Sequence, residues 1–319
     1  MNGHPVLVST EHEDPTADLV IAELNRRRVP VLRLDPGKDL PGIATLAARF
    51  GAGGLTGTLR AGDRAAELGR VRALYHRRPS PHLHLPGTED QADRFAANET
   101  RRGLGGVLAA LPECLYLSHP QAIARAEYKP EQLTVAARFG LPVPETLITN
   151  DPVTARSFAS GRPTIYKPLH AGPYHVGGES AGIWAAVVDP VDIDNRVTGC
   201  THLFQEQVAK VSDVRAVVVG DRVFCSLIRA PEGVVDWRSA YRHLTYEAVE
   251  CPESVRSALL LFLREFGLKF GAFDFAVTAD GEWWFLECNP NGQWAWLEHA
   301  AQLPITTAIA DLLENGEAA

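Results

Sequence analysis

Toward the C-terminal end of the chain, apolar side chains recur at every second position through residues 273–277 and again through 284–288, with Asp280-Gly281 between the two runs. A period of two is that of a strand, and Asp-Gly favours a two-residue type I′ turn, so the stretch predicts a β-hairpin with Ala279 opposite Glu282. Carried outward, this register sets Asp274 opposite Glu287. It puts Phe273, Phe275, Val277, Trp284, Leu286 and Cys288 on one apolar face and Asp274, Glu287 and Asn289 on the other. Two facing carboxylates destabilise a sheet unless something offsets them. Oxygen donors of this kind suit a magnesium ion shared with phosphates, so the hairpin is a candidate magnesium-nucleotide site. The following Asn289-Pro290-Asn291-Gly292 is a stiff turn that would hold the Asn289 amide in place.

Upstream patterning predicts a mixed α/β chain. Residues 5–9 and 29–34 read as short buried strands around an amphipathic helix at 16–28, a βαβ opening. Gly51 to Gly54 lacks phosphate-loop spacing and reads as a turn, and residues 89–111 read as a long helix. A helix is expected over 120–139, closed by Gly140 and followed by a proline-stiffened connector. The strand 164–168 carries Lys167 near its end, beside a glycine-rich loop at 170–182 whose backbone N–H groups suit phosphate. A strand at 203–208 precedes a hairpin over 213–229 that turns at Gly220-Asp221. That turn sets Val219 opposite Arg222 and Arg215 near Ser226, with Arg229 close by. The two arginines either clamp phosphate oxygens or are solvated charges in salt bridges. A last helix, 252–266, leads into the metal hairpin.

Composition narrows the class. The 319 residues, 45% hydrophobic and 22% charged, suffice for two or three lobes, and no apolar run reaches the roughly 18 residues of a membrane span. The N-terminus lacks signal-peptide character, so a cytoplasmic location is expected. A net charge of −8 argues against a nucleic-acid surface. Five scattered cysteines without a C-x-x-C pair suit reduced thiols. His82 and His84, with His76 nearby, sit among prolines and read as a surface loop rather than a metal cluster.

Lys129, Lys167, the run Gln205-Glu206-Gln207-Val208, Asp213, Arg215, Arg229, Asp274, Glu287 and Asn289, in that order, resemble the ATP-grasp superfamily over residues 118–319. The phrasing from Pro142 to Pro152, Asp236-Trp237-Arg238 and Phe285 to Trp294 looks most like the ATP-grasp ribosomal peptide maturases, the microviridin-type or graspetide macrocyclases. The resemblance implies an N-terminal α/β pre-ATP-grasp domain over 1–117 and an ATP-grasp domain over 118–319, with a central lobe to 204 and a C-terminal lobe from 205. It implies that Lys129 and Lys167 reach the phosphates of ATP, that Gln205, Glu206, Gln207 and Val208 run along the adenine, and that Asp213 lies near the ribose. Arg215 falls with the nucleotide contacts, Arg229 near the transferred phosphate and Arg238 beside the acyl acceptor site. Asp274, Glu287 and Asn289 match Mg2+ ligands. The implied reaction activates an Asp or Glu side chain of a precursor peptide, leader plus core, as an acyl phosphate and closes an ester or amide ring. The alternatives are a ligase of free amino acids or protein termini and a non-catalytic nucleotide-binding regulator; a homodimer is left open.

Overall fold

The computed structural model describes residues 4–40, 42–81, 90–170, 174–176 and 179–315. His82 and His84, and Gly172, Gly177 and Gly178 of the glycine-rich segment, lie outside the described residues. Short buried strands with helical crossovers build the first layer: Val31–Leu34, Val6–Ser9, Ala73–His76 and Leu115–Tyr116 pair in parallel in that order. The helix Pro15–Arg26 crosses from the first strand of the chain to the second. Asp14 caps it by accepting from the backbone N–H groups of Thr16 and Ala17, which satisfies donors a helix start leaves open. The strands Ala44–Gly51 and Gly54–Ala61 turn at the glycine run, where Gly54 has φ +87°, a conformation that disfavours a side chain.

Residues 120–139 form two helices rather than the single expected one, Pro120–Ala126 and Lys129–Arg138. Pro130 has no N–H to donate and fits the first turn of a helix, so the chain restarts there and Lys129 becomes the first helical residue. Gln132, buried, fixes this second helix to the C-terminal hairpin. Its amide donates to Cys288 O at 2.8 Å and accepts from Cys288 N at 2.8 Å.

Two antiparallel sheets follow. The smaller orders Ala186–Val187, Thr164–Lys167, His202–Glu206 and Thr146–Thr149. The larger orders Thr245–Val249, Arg222–Arg229, Lys210–Val219, Phe270–Thr278 and Trp283–Asn289. The helix Glu253–Phe266 lays Leu259, Phe262 and Phe266 against Phe273, Phe275 and Phe285 on one face of the larger sheet. The other face packs Val217, Val219 and Ala272 with the helix Ile305–Asn315 and with Val6, Val8 and Val20 of the N-terminal layer. One apolar core thus joins the N-terminal layer to the larger sheet. Among the described residues no helix is long and apolar enough to cross a membrane.

The C-terminal hairpin departs from the expected register in two places that cancel. Its turn is a residue longer than a two-residue one: Thr278 N donates to Glu282 O at 3.1 Å, and Gly281, with φ +86°, donates back to Thr278 O. This shifts Phe275 to face Phe285 and Ala276 to face Trp284. A bulge then leaves Leu286 unpaired and restores Asp274 opposite Glu287. The apolar face is corrected accordingly. Trp283 and Phe285, not Trp284 and Leu286, enter the core with Phe273 and Cys288.

Candidate active site

The facing carboxylates of the hairpin are offset by cations from four separate elements. Arg215 leaves the middle strand of the sheet directly beside Asp274, and its Nη1 donates to both carboxylate oxygens at 2.8 and 2.7 Å. Glu287 Oε2 lies 3.0 Å from Lys129 Nζ, at the start of its helix, and 3.1 Å from Lys167 Nζ, at the end of its strand. The bulge turns the Leu286 carbonyl to Lys167, which donates to it at 3.1 Å. Arg238 Nη1 stands 3.5 Å from Glu287 Oε1. Asn289 Nδ2 closes the group, 3.3 Å from Asp274 Oδ2 and 3.5 Å from Glu287 Oε1.

Burial sets the electrostatics. It opposes ionisation of Glu287, yet Lys167, Lys129 and Arg238 outweigh it and hold the carboxyl well below the usual carboxylate range. Burial pushes the Lys167 ammonium down, Glu287 counters this, and the neighbouring Lys129 adds to it. An ammonium so poised gains most from a further anion. The two carboxylates supply hard oxygen donors of the kind magnesium takes, and the Asn289 amide, whose nitrogen donates to both here, supplies a third oxygen once it turns over, so the residue types fit that ion.

Two cavities flank the Leu286–Glu287 segment. One, about 400 Å³, contains Lys129, Arg215, Arg238, Glu287 and Asn289. Asp236 grips Arg238 there by two prongs, from Nε at 2.9 Å and Nη2 at 2.8 Å, which leaves Nη1 facing the site. The Arg238 guanidinium lies 5.7 Å from the Trp184 ring centroid, so it rests near Trp184 as well as against its own loop. The other cavity, about 510 Å³, runs along Gln205, Glu206, Gln207 and Val208 to Asp213, with Ile165 and Leu286 on its apolar side. A cavity of this volume at a strand end, with apolar side chains on one side and polar groups on the other, has room for a purine.

Asp213 stands in this second cavity with Lys210, whose Nζ reaches its two oxygens at 2.8 and 2.7 Å. Burial raises the Asp213 carboxyl to about 6 against the pull of Lys210. Above that pH it is ionised and only accepts hydrogen bonds; below it, a proton takes one oxygen. If Asp213 accepts from a ribose hydroxyl, ADP affinity should weaken as pH falls from about 7.5 to 5.5. Asp213→Asn should bind more weakly and without that slope. Titration calorimetry at both pH values decides, and an equal slope in the variant would remove Asp213 from the nucleotide contacts.

Arg229 is a correction. Because Arg215 pairs with Ser226, residues 226 and 228 share the face of Arg215, and Arg229 points to the opposite face. Its side chain is 55% exposed and forms a salt bridge to Glu247 at 2.7 Å, the solvated alternative of the sequence reading. Arg215 itself lies with Arg238 rather than in the cavity along Gln205 to Val208. The sequence reading passed over Lys210 and Gln132, and quoted Asp236 without giving it a role. Only Asp236, next to Arg238, carried a local signal, since an aspartate before a short helical turn caps it and can reach an arginine two residues on.

An antiparallel lobe carrying a strand-end lysine, set against a larger sheet whose edge hairpin presents two carboxylates and an amide, defines an ATP-grasp ligase. No protein-family model and no curated protein sequence matches the chain. Among solved structures it is similar to the macrocyclase MdnC of Microcystis aeruginosa MRC, bound there to precursor peptide MdnA. The TM-score is 0.86 at 28% identity, over 98% of this chain and 99% of that one. The macrocyclase MdnB of the same organism gives 0.82 at 28%, over 98% and 100%. A Chryseobacterium gregarium RiPP-associated ATP-grasp ligase, solved with ADP and a leader and core peptide, gives 0.88 at 24%, over 99% and 98%, and shows the shared fold. These likenesses make the chain an ATP-grasp ligase that is similar, over nearly its whole length, to the ribosomal peptide maturases, the graspetide-type macrocyclases.

Proposed function

We propose that the protein uses ATP to activate Asp or Glu side chains of a ribosomally made precursor peptide as acyl phosphates and closes side-chain ester or amide rings. One observation carries this reading: two arginines, Arg215 and Arg238, open into the same cavity as Glu287 and Asn289, Arg215 at the same time holding Asp274, next to a second cavity along Gln205 to Val208 with room for a nucleotide. Arginine's planar fork can be divided, some nitrogens fixed by a structural acceptor and another left for a substrate carboxylate.

A carboxylate is a poor acyl donor. Its oxygen must attack the γ-phosphorus of ATP, releasing ADP; a hydroxyl or amine of the peptide then attacks the acyl carbon and inorganic phosphate leaves. Magnesium held by Asp274, Glu287 and Asn289 would neutralise the phosphate oxygens in flight. Lys129 and Lys167, which share Glu287 in this structure, would turn to the phosphates, and Gln205 to Val208 would line the base with Asp213 toward the ribose. Arg238, with two of its nitrogens taken by Asp236, keeps Nη1 for the peptide carboxylate. Arg215 would hold the carboxylate from the other side once Asp274 is engaged by the metal. Alignment and charge stabilisation in a partly dehydrated site carry the rate. Five cysteines without a disulfide fit a cytoplasmic setting, where ATP and a newly translated peptide meet.

The acyl phosphate is testable directly. With ATP, magnesium, precursor peptide and hydroxylamine, the peptide should accumulate hydroxamates at Asp or Glu side chains while ring formation falls. Rings formed without any trapped intermediate or ADP would contradict the route. Lys167→Ala should weaken ATP binding and slow ADP release about 10- to 100-fold, because one buried cation is removed from the phosphates. Unchanged affinity and rate would place Lys167 outside the pocket.

A further inference from the structure

A buried arginine of the N-terminal layer stands in the wall of this cavity, 216 residues away in sequence from the partner it holds. Arg77 follows the strand Ala73–His76, and its side chain is 1% exposed. Its Nε lies 2.8 Å from Asp14 Oδ2, whose carboxylate also caps the helix Pro15–Arg26 and accepts from Thr10 Oγ1 at 2.7 Å. Its Nη2 donates to Gln293 Oε1 at 2.5 Å and its Nη1 to Asn291 O at 3.4 Å. Thr16 Oγ1 donates to the same Gln293 oxygen at 2.7 Å. Arginine only donates, so the orientation of the Gln293 amide is fixed, oxygen toward Arg77.

Gln293 then passes this constraint to the site. Its backbone oxygen accepts from Arg215 Nη2 at 3.1 Å, while Arg215 Nη1 holds Asp274. The loop before it packs without slack. A Cβ at Gly292 would stand 2.7 Å from Arg215 Nη2, 2.5 Å from Ala272 Cβ and 3.0 Å from Asn289 Cβ. The loop therefore has no room for a side chain beside Arg215 or Asn289, and its position depends on a side chain from the other end of the chain.

We propose that Arg77 is a positioning residue: through Gln293 it fixes the Asn291–Gln293 loop and thereby aims Arg215 at the carboxylate being activated. It stands in the wall of the same cavity, but its side chain is only 1% exposed and its guanidinium is turned to Asp14, Asn291 and Gln293, so it acts through the loop. When Asp274 is drawn to a metal, the backbone oxygen of Gln293 remains the anchor of Arg215. The aspartate that Arg77 grips also caps the first helix, so the N-terminal layer and the site share one polar network. The role in turnover rests on the function proposed above; the placement of Arg215 does not.

Gln293→Leu keeps the Arg77–Asp14 pair and removes the relay; Arg77→Lys keeps the charge opposite Asp14 but cannot serve aspartate and amide together. Both should lower ring formation about 10- to 100-fold, as loss of a supporting partner behind a metal site does, with ADP affinity within about twofold of wild type. Arg215→Lys combined with Gln293→Leu should lose little more than Arg215→Lys alone, because the two act in series. Wild-type turnover in Gln293→Leu, or losses that multiply in the double variant, would overturn the proposal. Nitrogen-15 spectra of the arginine side chains give a readout free of peptide chemistry. The Arg215 Nε–H and Nη–H signals should be protected in the wild type and broadened by exchange in Gln293→Leu and Arg77→Lys, and unchanged signals would sink the idea. A wild-type protein that closes no ring on any precursor would instead count against the proposed function, and the spectra would still decide the placement of Arg215.

Discussion

Replacing Glu287 with glutamine should abolish turnover, by about 10³-fold or more, and should also lower stability. The second consequence follows from the site's charge balance. Glu287 is the shared anion of Lys129 and Lys167 and has Arg238 nearby, all within a buried cluster. Removing one partner of a buried ion pair costs about 3–5 kcal/mol because the other charge is left uncompensated. The freed lysines keep their attraction for phosphate, so ADP binding without magnesium should persist while the gain from added magnesium disappears. Melting curves with and without ADP, with ADP release measured at ordinary magnesium, separate these effects. Near-normal turnover would remove Glu287 from the metal site.

Arg238→Lys is expected to keep ADP affinity and lose about 10²- to 10³-fold of ring formation. Asp236 holds the guanidinium by two hydrogen bonds and leaves one nitrogen for a substrate oxygen, and a lysine has no planar fork to divide in that way. The variant retains a positive charge, so a loss reports geometry more than electrostatics. Nucleotide affinity and ring formation should be measured on one preparation. Normal cyclisation, or equal loss of both, would assign Arg238 to the fold or to the nucleotide.

Much of the site was legible because its geometry is local. Gly220-Asp221 places Val219 opposite Arg222 and Arg215 opposite Ser226, as the strands do, while Asp280-Gly281 marks the C-terminal turn but gives the facing of Asp274 and Glu287 only because two departures from its register offset each other. The bulge at Leu286 was not legible, since a longer turn and an extra residue cancel in register and leave no trace in the hydrophobic period until the core chooses Trp283 and Phe285. Arg229 was misread for a related reason. Its nearness to Arg215 in the hairpin concealed the face on which it points, and there it meets Glu247. The pairing of Lys129 with Glu287 depends on the helix restart at Pro130 and on Gln132 binding Cys288, a contact across 156 residues. The link from Arg77 to Gln293 is longer still, and nothing in either neighbourhood announces it.

The central claim is that the pocket joins ATP cleavage to ring closure within one peptide. The most direct measurement is mass spectrometry of a precursor peptide, encoded beside this protein and bearing Ser- or Thr-rich and Asp- or Glu-rich blocks, after incubation with the protein, ATP and magnesium, with ADP counted in the same sample. The account predicts loss of one whole water for each ring, one ADP for each water lost, and fragments linked between side chains. An unchanged peptide mass with ADP released only when a free amino acid is supplied would contradict it.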